Sequence, residues 1–69
     1  MITIMLKNLL EQKQITRYQL SQMTEIKYQT LDNYYKNRVT RYDGYILSKI
    51  CKALDCEVGD ILRYDEDEN

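Results

Sequence analysis

Hydrophobic residues recur every three or four positions along much of the chain, which is the spacing of one face of an α-helix. Leu6, Leu9 and Leu10 have this spacing and predict a first helix from about Met5 to Lys13. Asp43 has a side chain that can cap a helix, and the residues after it predict another long helix. The inward face of that helix is formed by Leu47, Ile50, Cys51 and Leu54.

Two short helices are predicted in the middle of the chain. Thr16 followed three positions later by Gln19 is the pattern of a capping box, so a helix should begin at Arg17. It should end near Thr24. A further helix of about three turns is predicted over residues 28–37, with an inward side formed by Leu31, Tyr34 and Tyr35. Because only about three residues separate the two helices, they must cross steeply, as in a helix-turn-helix motif.

The two ends of the chain carry shorter patterns. Residues 1–4 alternate between apolar residues and threonine, which predicts an edge strand that pairs with residues 61–64. A short fifth helix is expected over residues 58–62, and its apolar residues exceed what one small core needs. They therefore predict a dimer interface formed by Val58, Ile61 and Leu62. The acidic run at residues 65–69 predicts a disordered tail after a single domain of residues 1–64.

The middle segment resembles the helix-turn-helix of the Cro/CI-type (XRE) family of bacterial and phage repressors. The family pattern of apolar and small residues is met here by Leu20, Ser21, Ile26, Leu31 and Tyr34. The downstream run YDGYILSKICKALDCEVGDIL is also similar to the fourth and fifth helices of the family. The resemblance covers nearly the whole chain. It implies an all-α fold, a compact five-helix lambda-repressor-like DNA-binding domain, to which the short pairing of the chain ends is added.

Two positions depart from the family pattern. The turn position that the family usually fills with Gly is Glu25. If Glu25 has positive φ, it costs roughly 1 kcal/mol relative to Gly. The residue that would cap the reading helix, usually Ser or Thr, is Lys27. Because Lys has no acceptor oxygen, the first N–H groups of that helix are left for water or a bound phosphate.

Charge is distributed unevenly along the chain. The net charge of −1 alone argues against a nucleic-acid partner. However, residues 13–42 contain six Lys or Arg against two acids, whereas residues 43–69 contain three against eight. The half with the helix-turn-helix is therefore positive, and this orientation of charge would steer one face toward DNA.

The outward face of the reading helix supplies the candidate DNA-binding residues. With Gln29 at its centre, Asn33 and Lys36 fall within roughly 40°, and Asp32 lies next to them. Gln and Asn can pair in two ways with an adenine edge, so Gln29 and Asn33 are the base-reading candidates. Asp32 could restrain Lys36 through an i,i+4 pair, which we prefer, or accept from a cytosine amine. Phosphate contacts are expected from the basic residues, including Arg17 at the start of the preceding helix. The full set is Arg17, Lys27, Tyr28, Gln29, Thr30, Asn33, Lys36 and Arg38.

Composition argues against several classes of function. A chain of 69 residues holds one small domain without a large catalytic pocket. It has no His and only two cysteines, Cys51 and Cys56, which are too few for an ordinary zinc site and are expected as free thiols. With no nucleophile beside an evident base and no glycine-rich phosphate loop, neither an enzyme nor a cofactor is predicted. No segment approaches about 20 apolar residues, so we expect a cytoplasmic protein without a membrane partner.

The leading hypothesis is a sequence-specific DNA-binding transcriptional regulator, most simply a repressor, that reads the major groove with residues 28–37. The resemblance implies a homodimer on double-stranded DNA, with a palindromic operator whose half-sites lie about one turn apart. The alternative keeps the fold but makes it a protein-interaction module, such as an antitoxin or an accessory subunit. The net negative charge and the missing cap at Lys27 favour that alternative slightly.

Overall fold

The computed structural model describes residues 1–66 and consists of five helices and one two-stranded antiparallel sheet in that part of the chain. In chain order the elements are β1 (Ile2–Ile4), α1 (Leu6–Lys13), α2 (Arg17–Thr24), α3 (Tyr28–Tyr35), α4 (Gly44–Leu54), α5 (Val58–Ile61) and β2 (Leu62–Tyr64). The predicted fold class is confirmed, and so is the short pairing of the two ends.

Every helix contributes at least one side chain to a single hydrophobic core. The fully buried side chains are Leu6, Leu10, Leu20, Leu31, Ile50 and Ile61. Burying one such side chain stabilises a fold by about 1.5–3 kcal/mol, so these residues hold α2 and α3 in a fixed relation to the rest of the domain. Of the predicted inward residues of α4, Ile50 and Leu54 are buried, whereas Leu47 and Cys51 are half-buried.

The predicted caps at the start of two helices are confirmed. The backbone N–H of Gln19 donates to Thr16 Oγ1 over 3.0 Å, and that of Thr16 donates to Gln19 Oε1 over 2.8 Å. Asp43 Oδ1 accepts from the backbone N–H of Tyr45 over 2.8 Å. Each cap satisfies N–H groups that have no partner within the helix, which explains why α2 and α4 begin where the sequence indicates.

Helix α3 is shorter than predicted. It ends at Tyr35 instead of extending to residue 37, and Asn37 has a left-handed φ of 59°. The side chain of Asn37 bridges both backbone groups of one strand residue: its Oδ1 accepts from Ile4 N–H over 2.7 Å, and its Nδ2 donates to Ile4 C=O over 2.9 Å. The chain leaves the helix there because Asn37 is fastened to β1.

The strands β1 and β2 join the two ends of the chain. Their register places Ile2, Thr3 and Ile4 opposite Tyr64, Arg63 and Leu62. Two more hydrogen bonds, from Asp65 N–H to Met1 C=O over 2.9 Å and from Met1 N to Asp65 C=O over 2.5 Å, extend the ladder past the predicted domain boundary at residue 64. The rest of the predicted tail, residues 67–69, lies outside the described residues.

The predicted dimer interface needs a correction at one residue. Ile61 is 0% exposed, because it packs into the core of its own chain, and it cannot also contact a second subunit. Leu62, predicted as the end of the fifth helix, instead begins β2. Val58 is 50% exposed and Leu62 is half-buried, and their place in an interface stays a prediction.

Candidate nucleic-acid interface

The turn between α2 and α3 is fixed by hydrogen bonds from both sides. The backbone N–H of Glu25 donates to Ser21 C=O over 2.8 Å, and Ser21 Oγ donates to Ile26 C=O over 2.6 Å. From α4, Lys49 Nζ donates to Thr24 C=O over 2.8 Å. These bonds, together with the buried side chain of Ile26, hold the two helices of the motif at one crossing geometry.

Both departures from the family pattern have the expected structural result. Glu25 has φ of 61°, which confirms that this exposed glutamate occupies the left-handed position that the family fills with Gly. Lys27 is the N-cap residue of α3 and makes no side-chain cap hydrogen bond. The N–H groups in the first turn of α3 therefore lack a side-chain cap, and such a helix start attracts anions.

The two predicted base-reading amides lie together on the outer side of α3. Gln29 Nε2 donates to Asn33 Oδ1 over 3.4 Å, one helical turn away. Gln29 is exposed and Asn33 is half-buried. This long hydrogen bond is easily exchanged for others, so the pair presents amide donors and acceptors of the kind that match an adenine edge.

Asp32 lies in a different environment from the one predicted. It is only 7% exposed, which corrects the prediction that it lies on the outward strip. Its Oδ2 accepts from Lys36 Nζ over 3.1 Å, which is the preferred i,i+4 pair. Its Oδ1 accepts from Arg17 Nη1, an interaction between the two helices of the motif that the sequence did not reveal. Both carboxylate oxygens are therefore already engaged, which leaves little capacity to accept from a base.

The guanidinium of Arg17 is also held by aromatic rings. Its central carbon lies 4.0 Å from the centroid of the Tyr35 ring and 5.8 Å from that of Tyr28. Cation–π contacts of this kind are worth about 0.5–2 kcal/mol. Arg17 is thus a positioned charge with a defined orientation, whereas the prediction treated it as a free charge for a phosphate.

Two opposing effects act on the ionisation of Asp32. Burial raises the pKa of a carboxyl group, because a charged carboxylate is poorly solvated inside a protein. Hydrogen bonds from Lys36 and Arg17, together with their positive charges, outweigh burial and lower the pKa of Asp32 below its ordinary value. The carboxylate is therefore charged at neutral pH and neutralises part of the positive charge at this face.

Comparison with known protein families agrees with this geometry. Residues 5–67 match the family model described as the Cro/C1-type HTH DNA-binding domain. The chain belongs to this family. No curated protein matches the chain. Membership supports a regulator that binds double-stranded DNA, and the family is generally non-enzymatic.

In this Cro/C1-type domain the predicted site residues lie on α3, next to its two ends and at the start of α2. Lys27, Tyr28, Gln29, Lys36 and Arg38 are exposed, whereas Arg17, Thr30 and Asn33 are half-buried. The backbone N–H of Arg38 donates to Asn33 C=O over 2.9 Å, which places Arg38 directly after the end of α3.

The contacts of two residues in the helix-turn-helix were missed by sequence reasoning. Tyr35 was assigned only to the inward side, but its ring covers Arg17. Asp32 was taken as an outward residue, although a carboxylate on α3 and an arginine opening α2 could have been read as a pair between helices. Within residues 1–66, this Cro/C1-type domain has no helix that is long and apolar enough to cross a membrane.

Proposed function

We propose that this chain is a sequence-specific transcriptional regulator, and most simply a repressor, which inserts α3 into the major groove of an operator. The observation that carries the proposal is the exposed Gln29 beside Asn33 on the outer side of α3. Each amide can make two hydrogen bonds to an adenine edge, which discriminates against the wrong base by about 1–3 kcal/mol.

Basic residues around this amide pair support contacts with the DNA backbone. Lys27 precedes α3, and Lys36 and Arg38 follow it, so positive charges lie at both ends of the reading helix. Arg17 adds a fourth cation whose charge is partly balanced by Asp32. If the three exposed cations of each of two subunits contact phosphates, a plot of log K against log[salt] should have a slope of about −5.

The proposed active form is a homodimer on a palindromic operator. A single α3 of eight residues spans only a few base pairs, and two copies related by two-fold symmetry would read two half-sites. The exposed Val58 and the half-buried Leu62 support an interface in the last third of the chain. A DNA target would place this function in the cytoplasm.

Selection of bound duplexes from a random pool tests the proposal. We expect enrichment of a two-fold symmetric site with half-site centres about one helical turn apart. The double variant Gln29→Ala/Asn33→Ala is the matched control, because it keeps every positive charge but should enrich no single sequence. Absence of enrichment with the natural chain, or equal binding to a scrambled duplex, would contradict the proposal and favour a protein-interaction module.

A further inference from the structure

The outer edge of β2 has backbone groups without partners among residues 1–66. Asp65 N–H donates to Met1 C=O over 2.9 Å, and Met1 N donates to Asp65 C=O over 2.5 Å. Antiparallel ladders alternate in their direction, so Arg63 and Asp65 face β1 while Leu62 and Tyr64 turn their backbone groups away from it. Leu62 N–H is already used by Val58 C=O. The N–H and C=O of Tyr64 and the C=O of Leu62 remain open.

The outer edge of β1 is different, because it is blocked. Ile2 and Ile4 turn their backbone groups outward there. The side chain of Asn37 occupies both groups of Ile4, over 2.7 and 2.9 Å. An additional strand could not form a regular ladder past that position. The outer edge of β1 is therefore blocked at Ile4, whereas the outer edge of β2 is open at Leu62 C=O and at both groups of Tyr64. Unprotected open edges are sites of strand pairing between chains.

The sequence of the open edge is complementary to itself. If two copies of β2 pair antiparallel with Tyr64 opposite Tyr64, then Arg63 of each copy lies opposite Asp65 of the other. Arg63 and Asp65 already share one exposed face, where Arg63 Nε lies 3.3 Å from Asp65 Oδ2. Cross-strand pairs of opposite charge stabilise a sheet, and like charges directly opposite each other destabilise it. The other residue opposed in this register is Glu66, which faces Leu62.

We propose that a second copy of this chain binds along β2 in this register and completes a four-stranded antiparallel sheet. The Tyr64 N–H of each copy donates to the Tyr64 C=O of the other, and each Glu66 N–H donates to Leu62 C=O of the other chain. The exposed side chains of Ile2 and Tyr64, 42% and 68% exposed, lie opposite each other in the ladder. They continue as one apolar row across the two-fold axis.

This inference deepens the homodimer of the proposed function and does not require DNA binding. A two-stranded sheet is marginally stable alone, whereas three or more strands with an apolar face are more stable. The second copy is the occupant that the edge favours, because a copy of this segment supplies both charges at the matching positions. The pairing also brings Leu62 into the interface.

Sedimentation equilibrium of the full chain tests the register through charge reversal. Arg63→Asp turns both cross-strand pairs into pairs of acidic residues, four on one face, and should weaken the dimer at least tenfold. The double variant Arg63→Asp/Asp65→Arg restores the alternation and should recover a dissociation constant within about threefold of the natural one. Lys52→Asp, a reversal at an exposed residue of α4, is the control for net charge and should have no effect. Circular dichroism shows whether each variant remains folded.

Disulfide trapping gives a second readout. In this register the Cα atoms of the two Tyr64 residues form a hydrogen-bonded pair about 5.5 Å apart, which is within disulfide range. In a chain with Cys51 and Cys56 replaced by Ser, Tyr64→Cys should form a covalent dimer on mild oxidation by oxidised glutathione, whereas Lys52→Cys should not.

Three outcomes would overturn the inference: a natural chain that is monomeric at millimolar concentration, a dimer unaffected by Arg63→Asp, or a double variant that does not recover. A dimer lost in Val58→Asp but retained in Arg63→Asp would assign the interface to α5 instead. Failure of the DNA selection with an intact β2 dimer would contradict the proposed function alone.

Discussion

Arg17 and Asp32 join the two helices of the motif through a hydrogen-bonded ion pair, and the ring of Tyr35 lies 4.0 Å from the same guanidinium. The cation at the start of α2 is thus oriented before any DNA is bound. Its charge is also balanced by a carboxylate that Lys36 shares. The surface around Arg17 and Lys36 is therefore less positive than its basic residues suggest, because Asp32 neutralises part of their charge.

Replacing Asp32 with Asn should lower the stability at neutral pH. Folding lowers the pKa of Asp32, so the charged carboxylate stabilises the folded state. This stabilisation is fully present above the unfolded pKa of about 4 and is lost as pH falls through the pKa in the folded state. The difference in free energy of unfolding between natural chain and variant should shrink below about pH 4. Urea unfolding at pH 7 and pH 3 measures it, with the exposed Asp55→Asn as control. A difference that is equal at both pH values would contradict the role of the ion pair.

Two substitutions should distinguish base recognition from contact with the DNA backbone: Gln29→Ala, on α3, and Arg38→Ala, after the end of α3. Gln29→Ala should weaken binding to the selected operator by about 1–3 kcal/mol and leave binding to scrambled DNA nearly unchanged. Arg38→Ala should weaken both duplexes by similar factors and reduce the salt slope by about 1. Arg38 is a better test than Arg17, because removing Arg17 would also take away one of the two cationic partners of Asp32. Titrations at two salt concentrations decide both cases. Equal weakening of both duplexes by Gln29→Ala would show that the assigned face is wrong.

Glu25→Gly should stabilise the fold by up to about 1 kcal/mol, since Glu25 has φ of 61° and Gly adopts this conformation without steric cost. Glu25→Ala is the matched control. It removes the carboxylate but keeps the Cβ atom, so it should give no comparable gain. Thermal unfolding of the three chains compares them. A gain of the same size in Glu25→Ala would mean that the carboxylate, and not the backbone conformation, is unfavourable.

Asn37→Gly should destabilise the fold by about 1–3 kcal/mol, although Gly suits the φ of 59° at this position. The substitution removes the two hydrogen bonds to Ile4. The part-buried N–H and C=O of Ile4 then lack their amide partner. Glu25→Gly serves as the comparison, because it also introduces Gly at a left-handed position, but at one that has no such bridge. Urea unfolding measures both. If Asn37→Gly is as stable as the natural chain, the bridge does not matter.

The thiol of Cys56 should react slowly with alkylating reagents. Burial, followed by its interactions with Cys51 and with Asp60, raises the pKa of Cys56 from 9.0 to about 11. At pH 9 the thiolate fraction should be about 50-fold lower than for an ordinary thiol. Mass spectrometry of iodoacetamide-treated protein measures alkylation at Cys56, and the same chain in urea is the control. Equal rates in both conditions would contradict the shift.

The starts of the helices were predictable from sequence, whereas some of their ends were not. Thr16 and Asp43 cap α2 and α4 through bonds to residues two or three positions away, so the local sequence contains the whole interaction. The end of α3 depends on a bridge from Asn37 to Ile4, 33 positions away. No local pattern contains that information.

The same limit applies to the candidate site. Helical spacing placed Gln29 and Asn33 on one face, and the structure brings them together. It also placed Asp32 near that face, because spacing takes no account of a neighbouring helix, and Arg17 on α2 covers that carboxylate. Ile61 was assigned to an interface for a similar reason. A count of apolar residues does not show that the core beneath α5 has room for the Ile61 side chain.

The pairing of β1 with β2 has a consequence for the order of folding. Ile2 lies opposite Tyr64, so this ladder closes a loop of nearly the entire chain, while the contacts between α2 and α3 are local. Loop-closure entropy grows with length and delays distant contacts. The helices should therefore assemble before the strands meet, with φ-values near zero at Ile2 and Tyr64. Substitutions in the sheet would then accelerate unfolding and leave the folding rate nearly unchanged.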